Sequence, residues 1–263
     1  MPTNGPQPFH WIMRQTWHDL LFMHWSVRAE VLRTLIPPPL EPDLFEGTAW
    51  VGVVPFWMSG IRISALPPIP TAHRFAELNV RTYARHGDEG GVWFLSLDAA
   101  SRLAVKVARA WYRLPYFHAR MEVSQPGTVG DGAVGVQSPS RGDRNSAVEG
   151  AATRYASRRV DRRAGPAELK MTYAPAGPVC PSQPGTLEHW LTARFRLFAR
   201  TRRGGLLTAR IAHDPWPLQP ATARIDRCTM LDPLGLALPE GPPLLHFSKR
   251  IEVLVERPRS FTP

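Results

Sequence analysis

Cysteine, lysine and long apolar runs are all scarce in this chain, and each scarcity narrows what it can do. Its two cysteines, Cys180 and Cys228, form no CxxC pair, which argues against thiolate-bound zinc and iron–sulfur clusters. No HxH or HExxH spacing appears either, so no metal site is expected. The longest apolar run, residues 49–61, contains Pro55, Gly52 and Gly60 and falls far short of the ~20 residues a spanning helix needs. Residues 1–10 lack the basic-then-apolar order of a signal peptide, so a cytoplasmic setting is expected, with no membrane partner. Internal repeats, coiled-coil heptads and the signatures of helix-turn-helix, RRM or zinc-finger modules are also missing.

Lysine stands only at Lys106, Lys170 and Lys249, leaving 29 of the 32 basic residues as arginine in a chain of net charge +10. Arginine suits carboxylate and phosphate recognition. The charges are scattered, however, with local clusters only at residues 154–163 and 194–203. Solvated basic surface is the simpler reading of those clusters, and nucleic acid is disfavoured as a partner. At 263 residues and 43% hydrophobic content the chain can bury a full core. Its 28 prolines, about twice the usual share, imply many short bounded strands and turns.

Residues 75–83 organise the remainder. At a two-residue period, Ala76, Leu78, Val80 and Thr82 share one strand face, and Phe75, Glu77, Asn79, Arg81 and Tyr83 share the other. The alanine-to-threonine face is built for packing. The polar face meets either water or a polar-lined cavity, and the cavity is the reading adopted. Glu77 and Arg81 lie about 13 Å apart along the strand, with Asn79 between them.

Along the chain, residues 17–25 and 49–57 read as strands, with Ser26 capping a short helix over 28–35. Prolines at 67–70 make a stiff connector. Residues 75–84 and 92–97 pair as a hairpin across a turn at 85–91. Asp98 is placed as N-cap of the clearest helix, in which Ala100, Leu103, Ala104, Val107, Ala108 and Trp111 form an apolar stripe. Strands are expected at 116–123, 155–163, 168–173, 206–213 and 244–255, with a short helix running into a strand over 187–198. The aromatic-free stretch 126–152 reads as a disordered Gly/Ser/Pro-rich insertion in one domain spanning 14–256, between a leader at 1–13 and a tail at 257–263.

Several ordered landmarks resemble the YqjF-like family of bacterial domains of unknown function, within the acetoacetate decarboxylase-like superfamily. They include His24-Trp25, the Ile36-to-Leu40 proline turn, Trp50-to-Phe56, Phe75-to-Tyr83, Phe94-to-Asp98, Leu114-Pro115-Tyr116 and His213-to-Leu218. The resemblance implies an α+β fold: a mainly antiparallel closed β-barrel with flanking strands and few short helices, around a small-molecule cavity. In acetoacetate decarboxylase a lysine following a proline forms a Schiff base with a β-keto acid. Tyr116 stands near that place here, which disfavours such chemistry. Lys106 and Lys170 point outward by phase, and Lys249 alone shares a face with Phe247, Ile251, Val253 and Val255. The family's usual Thr-Glu-Arg-Tyr is Thr192-Ala193-Arg194-Phe195 in this chain, without the carboxylate and the phenol.

The candidate site follows. Glu77, Tyr116 and His118 are the acid–base candidates, and Asn79, Arg81 and Tyr83 the ligand-binding ones, with Arg81 as an anion anchor. His24 reads as a core histidine and His213 as part of a folded corner. The leading expectation is a cofactor-free barrel that binds a small organic acid or keto compound, with self-association left open. The competing expectation is a non-enzymatic binding or scaffold domain in which the same polar groups satisfy one another.

Overall fold

The computed structural model describes residues 9–64, 74–124, 152–201 and 203–261. The expected connector at 67–70 and the insertion at 126–152, apart from Ala152, lie outside them. β1 (Trp11–Val27) leads through α1 (Ala29–Arg33) and β2 (Glu41–Pro42) to β3 (Ala49–Ile63), β4 (Arg74–His86) and β5 (Glu89–Ala99). After α2 (Arg102–Trp111) come β6 (Tyr116–Ser124), β7 (Thr153–Arg159), β8 (Glu168–Pro175) and α3 (Leu187–Thr192). β9 (Arg196–Arg200), β10 (Leu206–Ala212), β11 (Leu218–Cys228), β12 (Leu244–Glu256) and β13 (Arg259–Phe261) complete the described elements. β1 therefore starts inside the expected leader, and β13, paired with β10, lies inside the expected tail.

Five strands form a shared antiparallel arc, β12–β1–β3–β4–β5. Two routes close it. One runs through β6, β7, β8 and β11 and makes a nine-stranded barrel; the other runs through β9 and β10. Both are possible because the outer strands of the arc split their edges. β5 pairs with β9 at Val92 and Trp93 but with β6 from Leu97 to Ala99, and both pairings are parallel, so the sheet is mixed. β12 likewise pairs with β11 near Phe247 and with β10 near Val255.

Both faces of the arc are consequently covered. Ala76, Leu78 and Val80 of β4 pack with Met121, Tyr155, Leu169 and Tyr173 of the nine-stranded closure. Phe75, on the opposite face, packs with Phe56, Leu97, Leu197 and Val255. The strand face that carries Glu77, Asn79, Arg81 and Tyr83 is buried throughout, at 6% exposure or less. A strand with water on one side shows alternating burial; β4 shows none over ten residues.

Several local expectations change. Ser26 remains within β1, and α1 begins after Arg28 with no side-chain cap. The hairpin turn is tighter than 85–91, because β5 starts at Glu89. Gly91 is a strand residue kept side-chain-free by β9: a Cβ there would sit 2.8 Å from the Phe198 ring. Ser101 caps α2, its hydroxyl accepting from the Ala104 N–H at 3.2 Å. Asp98 is instead fully buried in β5, where Arg159 donates to both carboxylate oxygens at 2.9 and 3.1 Å and to Ser96 at 3.0 Å. Arg159 thereby leaves the expected basic surface of 154–163. Arg194 pairs with Asp43 and Arg196 with Glu89, so the cluster at 194–203 is also partly neutralised. No helix among the described residues is long and apolar enough to cross a membrane.

The Asp98–Arg159 pair ties β5 to β7, and burial pushes Asp98 up to about 6 while Arg159 pulls the other way. Replacing Arg159 alone by Met leaves that carboxylate unpaired and is expected to cost about 3–5 kcal/mol in urea unfolding. The double change Asp98→Leu/Arg159→Met should recover most of this. A single variant no less stable than the double one would show that the pair is not the tie.

Candidate functional site

Between the arc and its β9–β10 closure lies a cavity of about 120 Å³. Its walls are apolar, drawn from Met58, Phe75, Phe94, Leu97, Leu197 and Val255. The apolar stripe of α2 forms the roof through Leu103, Ala104, Val107, Ala108 and Trp111. Leu103 and Trp111 are 43% and 48% exposed, which marks the rim where the cavity meets solvent. Among the described residues, polar groups enter the lining only through Gln15, Trp17, Glu77, Asn79, Trp111, Tyr112 and Tyr116.

Glu77 and Tyr116, far apart in sequence, meet here. β4 delivers the carboxyl and the start of β6 the phenol, whose hydroxyl donates to Glu77 Oε1 at 3.2 Å. Arg109 of α2 holds the Tyr116 carbonyl at 2.6 Å and the Asp161 carboxylate at 2.6 Å, fixing the turn that presents the phenol. Burial pushes the Glu77 carboxyl up to about 8; the Tyr116 hydrogen bond opposes this and the charge of Asp98 adds to it. Burial and the neighbouring Glu77 hold the Tyr116 phenol well above its ordinary value. At neutral pH the pair is thus a carboxylic acid and a phenol, a donor site with no charge.

Arg81 and Tyr83 occupy the same strand face but do not line the cavity. Tyr83 donates to the Leu191 carbonyl at 2.7 Å, and Arg81 reaches the Tyr83 oxygen and the same carbonyl at 3.3 Å each. His24 Nε2 lies 2.7 Å from the Tyr83 oxygen and supplies the remaining donor. Burial, with Arg81 next in weight, holds His24 well below its usual pKa and so neutral. Gly52 makes room for that ring, since a Cβ there would come within 2.9 Å of it. These contacts finish α3. Its last carbonyls are taken by Arg194 Nε on Trp190 (2.6 Å), by Tyr83 and Arg81 on Leu191, and by Trp216 Nε1 on Thr192 (2.8 Å). Aromatic contacts run from Trp17, at the cavity, through Trp216 to Phe22, against which the Arg81 guanidinium rests at 5.1 Å.

The six expected site residues therefore divide. Glu77, Asn79 and Tyr116 line the cavity, whereas Arg81 and Tyr83 cap a helix. His118, despite sharing Tyr116's strand phase, is not in the lining; its backbone N–H donates to Asp161, and burial and Arg102 lower its pKa. Trp17 and Tyr112 are lining residues that strand and helix phase alone did not single out. Lys106 and Lys170 are exposed. Lys249 is exposed as well, bonded to Asp19 at 2.5 Å, which corrects the inward phase expected for it. The phase slips because Asp19, between residues paired with Ser248 and Arg250, adopts a left-handed φ of 46°. Phe247 then packs into one core and Ile251 into the other. His213 bonds the Asp214 carbonyl and packs against Phe195 and Trp216 as a corner. No three His, Cys, Asp or Glu side chains gather into a metal site among the described residues.

A carboxyl whose folded pKa is raised favours the protonated native state. Stability is then highest below about 4.5, falls as the unfolded chain ionises, and levels off above about 8. Wild type should lose up to about 5 kcal/mol across that window relative to Glu77→Gln, whose amide does not titrate. Parallel pH profiles for the two proteins would refute the assignment.

The profile of the family DUF2071, described as an uncharacterized conserved protein, matches residues 14–252. The uncharacterized protein YqjF of Bacillus subtilis (strain 168) is 39% identical over 244 residues, covering 93% of this chain and 90% of that protein. Among solved structures, the enduracididine biosynthesis enzyme MppR complexed with pyruvate aligns with a TM-score of 0.62 at 14% identity, over 99% of this chain and 95% of that one. Acetoacetate decarboxylase from Legionella pneumophila aligns with a TM-score of 0.58 at 12% identity, over 99% and 93%. With an acetoacetate decarboxylase-like barrel and a profile match over most of its length, the chain belongs to the DUF2071 family.

Proposed function

We propose that the cavity binds a compact, uncharged carbonyl compound and that the Glu77 carboxylic acid donates to its oxygen. The observation that carries this is a buried carboxyl, hydrogen-bonded by Tyr116 and pushed up to about 8 by desolvation, on the wall of a mostly apolar hollow. Tyr116 occupies Oε1, so the acid proton is available on the other oxygen. A keto ligand fits better than a carboxylate anion. No cation lines the cavity among the described residues, and Arg81, on the same strand face as Glu77, is committed to α3. MppR, an enzyme of similar fold, has been solved with pyruvate, a keto acid. The volume suits a ligand near the size of benzene, which a dry cavity of about 150 Å³ accommodates.

Chemically, such an acid polarises a carbonyl and stands ready to transfer a proton to it. The three lysines are all outside the cavity, so the reading involves acid–base chemistry and no Schiff base. Binding of cyclohexanone, followed by titration calorimetry, is expected to weaken about tenfold as pH rises through 8, the loss of one hydrogen-bond donor. Glu77→Gln should bind with no pH dependence, and Glu77→Leu should bind about tenfold more weakly than wild type at pH 6. Wild-type affinity unchanged between pH 6 and 9.5 would contradict the proposal.

A further inference from the structure

The β9–β10 closure has a second pocket on its outer face, away from the apolar cavity. Strand alternation separates the two: Leu197 of β9 and Ile211 of β10 line the cavity, and their neighbours Arg196 and Arg210 line the pocket. The pocket is open and holds about 380 Å³. Its charged lining is four arginines, Arg196, Arg210, Arg257 and Arg259, and two glutamates, Glu89 and Glu256. Four against two leaves two positive charges in excess.

Strand register explains why these arginines converge. Arg196 and Arg210 are direct cross-strand partners, and Arg259 of β13 stands opposite Thr208, two residues along β10 from Arg210. Like charges set opposite each other on a sheet repel unless something compensates them. Each of the facing pair has its own carboxylate. Arg196 donates to Glu89 at 2.7 Å and to the Thr208 hydroxyl at 3.2 Å, and Arg210 donates to both oxygens of Glu256 at 2.8 and 2.6 Å. The glutamates thereby hold both guanidinium groups in place without covering them, since the two side chains remain 22% and 32% exposed. Arg257 is exposed and makes no ion pair among the described residues.

We propose that this pocket binds a dianionic phosphate group, either free or carried on a small organic molecule. Near neutral pH a phosphate brings close to two negative charges and three strong acceptor oxygens on one atom. That matches the excess charge and the fixed, planar guanidinium groups. A monocarboxylate leaves part of the charge uncompensated, and a dicarboxylate spreads its charges over two separated carbons. The volume leaves room for an attached organic group. The inference is independent of the Glu77 reading.

Titration calorimetry on the full chain at pH 7.5 and about 0.1 M salt, where charges more than ~10 Å apart are largely screened, tests it. Phenyl phosphate is expected to bind about tenfold more tightly than succinate or than phenyl sulfate, which has the same three-oxygen shape and one charge fewer. Orthophosphate separates the sources: affinity equal to that of phenyl phosphate identifies the free ion as ligand, and weaker affinity an esterified phosphate. Arg257→Gln should weaken phenyl phosphate about tenfold. Arg224→Gln, the same change at an exposed arginine of β11 outside the pocket, should alter it less than about twofold. Phenyl phosphate bound no more tightly than phenyl sulfate or succinate overturns the inference, as do equal losses from the two variants. So does the absence of saturable phosphate binding.

Discussion

Burial of the Glu77 carboxyl is the constraint on which the interior depends. It arises from topology: one antiparallel arc is closed twice, by β6–β7–β8–β11 over one face and by β9–β10 over the other. A carboxylate at the centre of that construction is largely removed from solvent, and desolvation outweighs the hydrogen bond from Tyr116. The residue answers by keeping its proton. Once it does, the cavity is neutral, and the chemistry it can support is that of donors facing an uncharged acceptor. The raised pKa therefore has a geometric cause in the strand pairing.

The polar face of β4 serves two purposes along its length. Towards its start, Glu77 and Asn79 open onto the hollow. Towards its end, Arg81 and Tyr83 complete the C-terminal turn of α3, where free carbonyls attract donors and positive charge. One half of the strand thus lines a cavity, and the other half caps a helix. Arg81 accordingly owes its burial to helix capping, with neutral oxygens as its partners, and His24 is drawn into the same network as a neutral donor.

Much of this is legible in the residues. Strand alternation over 75–83 identifies the inward polar face, because side-chain direction in a strand has a strict period of two. The stripe from Leu103 to Trp111 locates α2, although its destination as a cavity roof needs the packing of two elements distant in sequence. The proline before Tyr116 and the ordered landmarks point to the family and its barrel. What stays hidden depends on long-range pairing. Asp98 resembles a helix cap locally, and only β7, arriving from the far side of β6, shows it to be the partner of Arg159. A regular strand phase turns Lys249 inward, and the left-handed Asp19 on the neighbouring strand interrupts that phase. Arg81 has the local character of an anion anchor because nothing nearby in sequence announces that α3 will end against it.

A carboxylic acid kept protonated by its burial is the central claim, and it is open to direct observation. Carbon-13 NMR titration of the chain labelled at glutamate side-chain carboxyls, with Glu77→Gln to assign the signal, reads that proton without reference to any ligand. One glutamate carboxyl is expected to remain protonated at pH 7 and to titrate near 8, and to be absent from the variant. A Glu77 signal that titrates near 4.5, as a solvated carboxyl does, would contradict the claim.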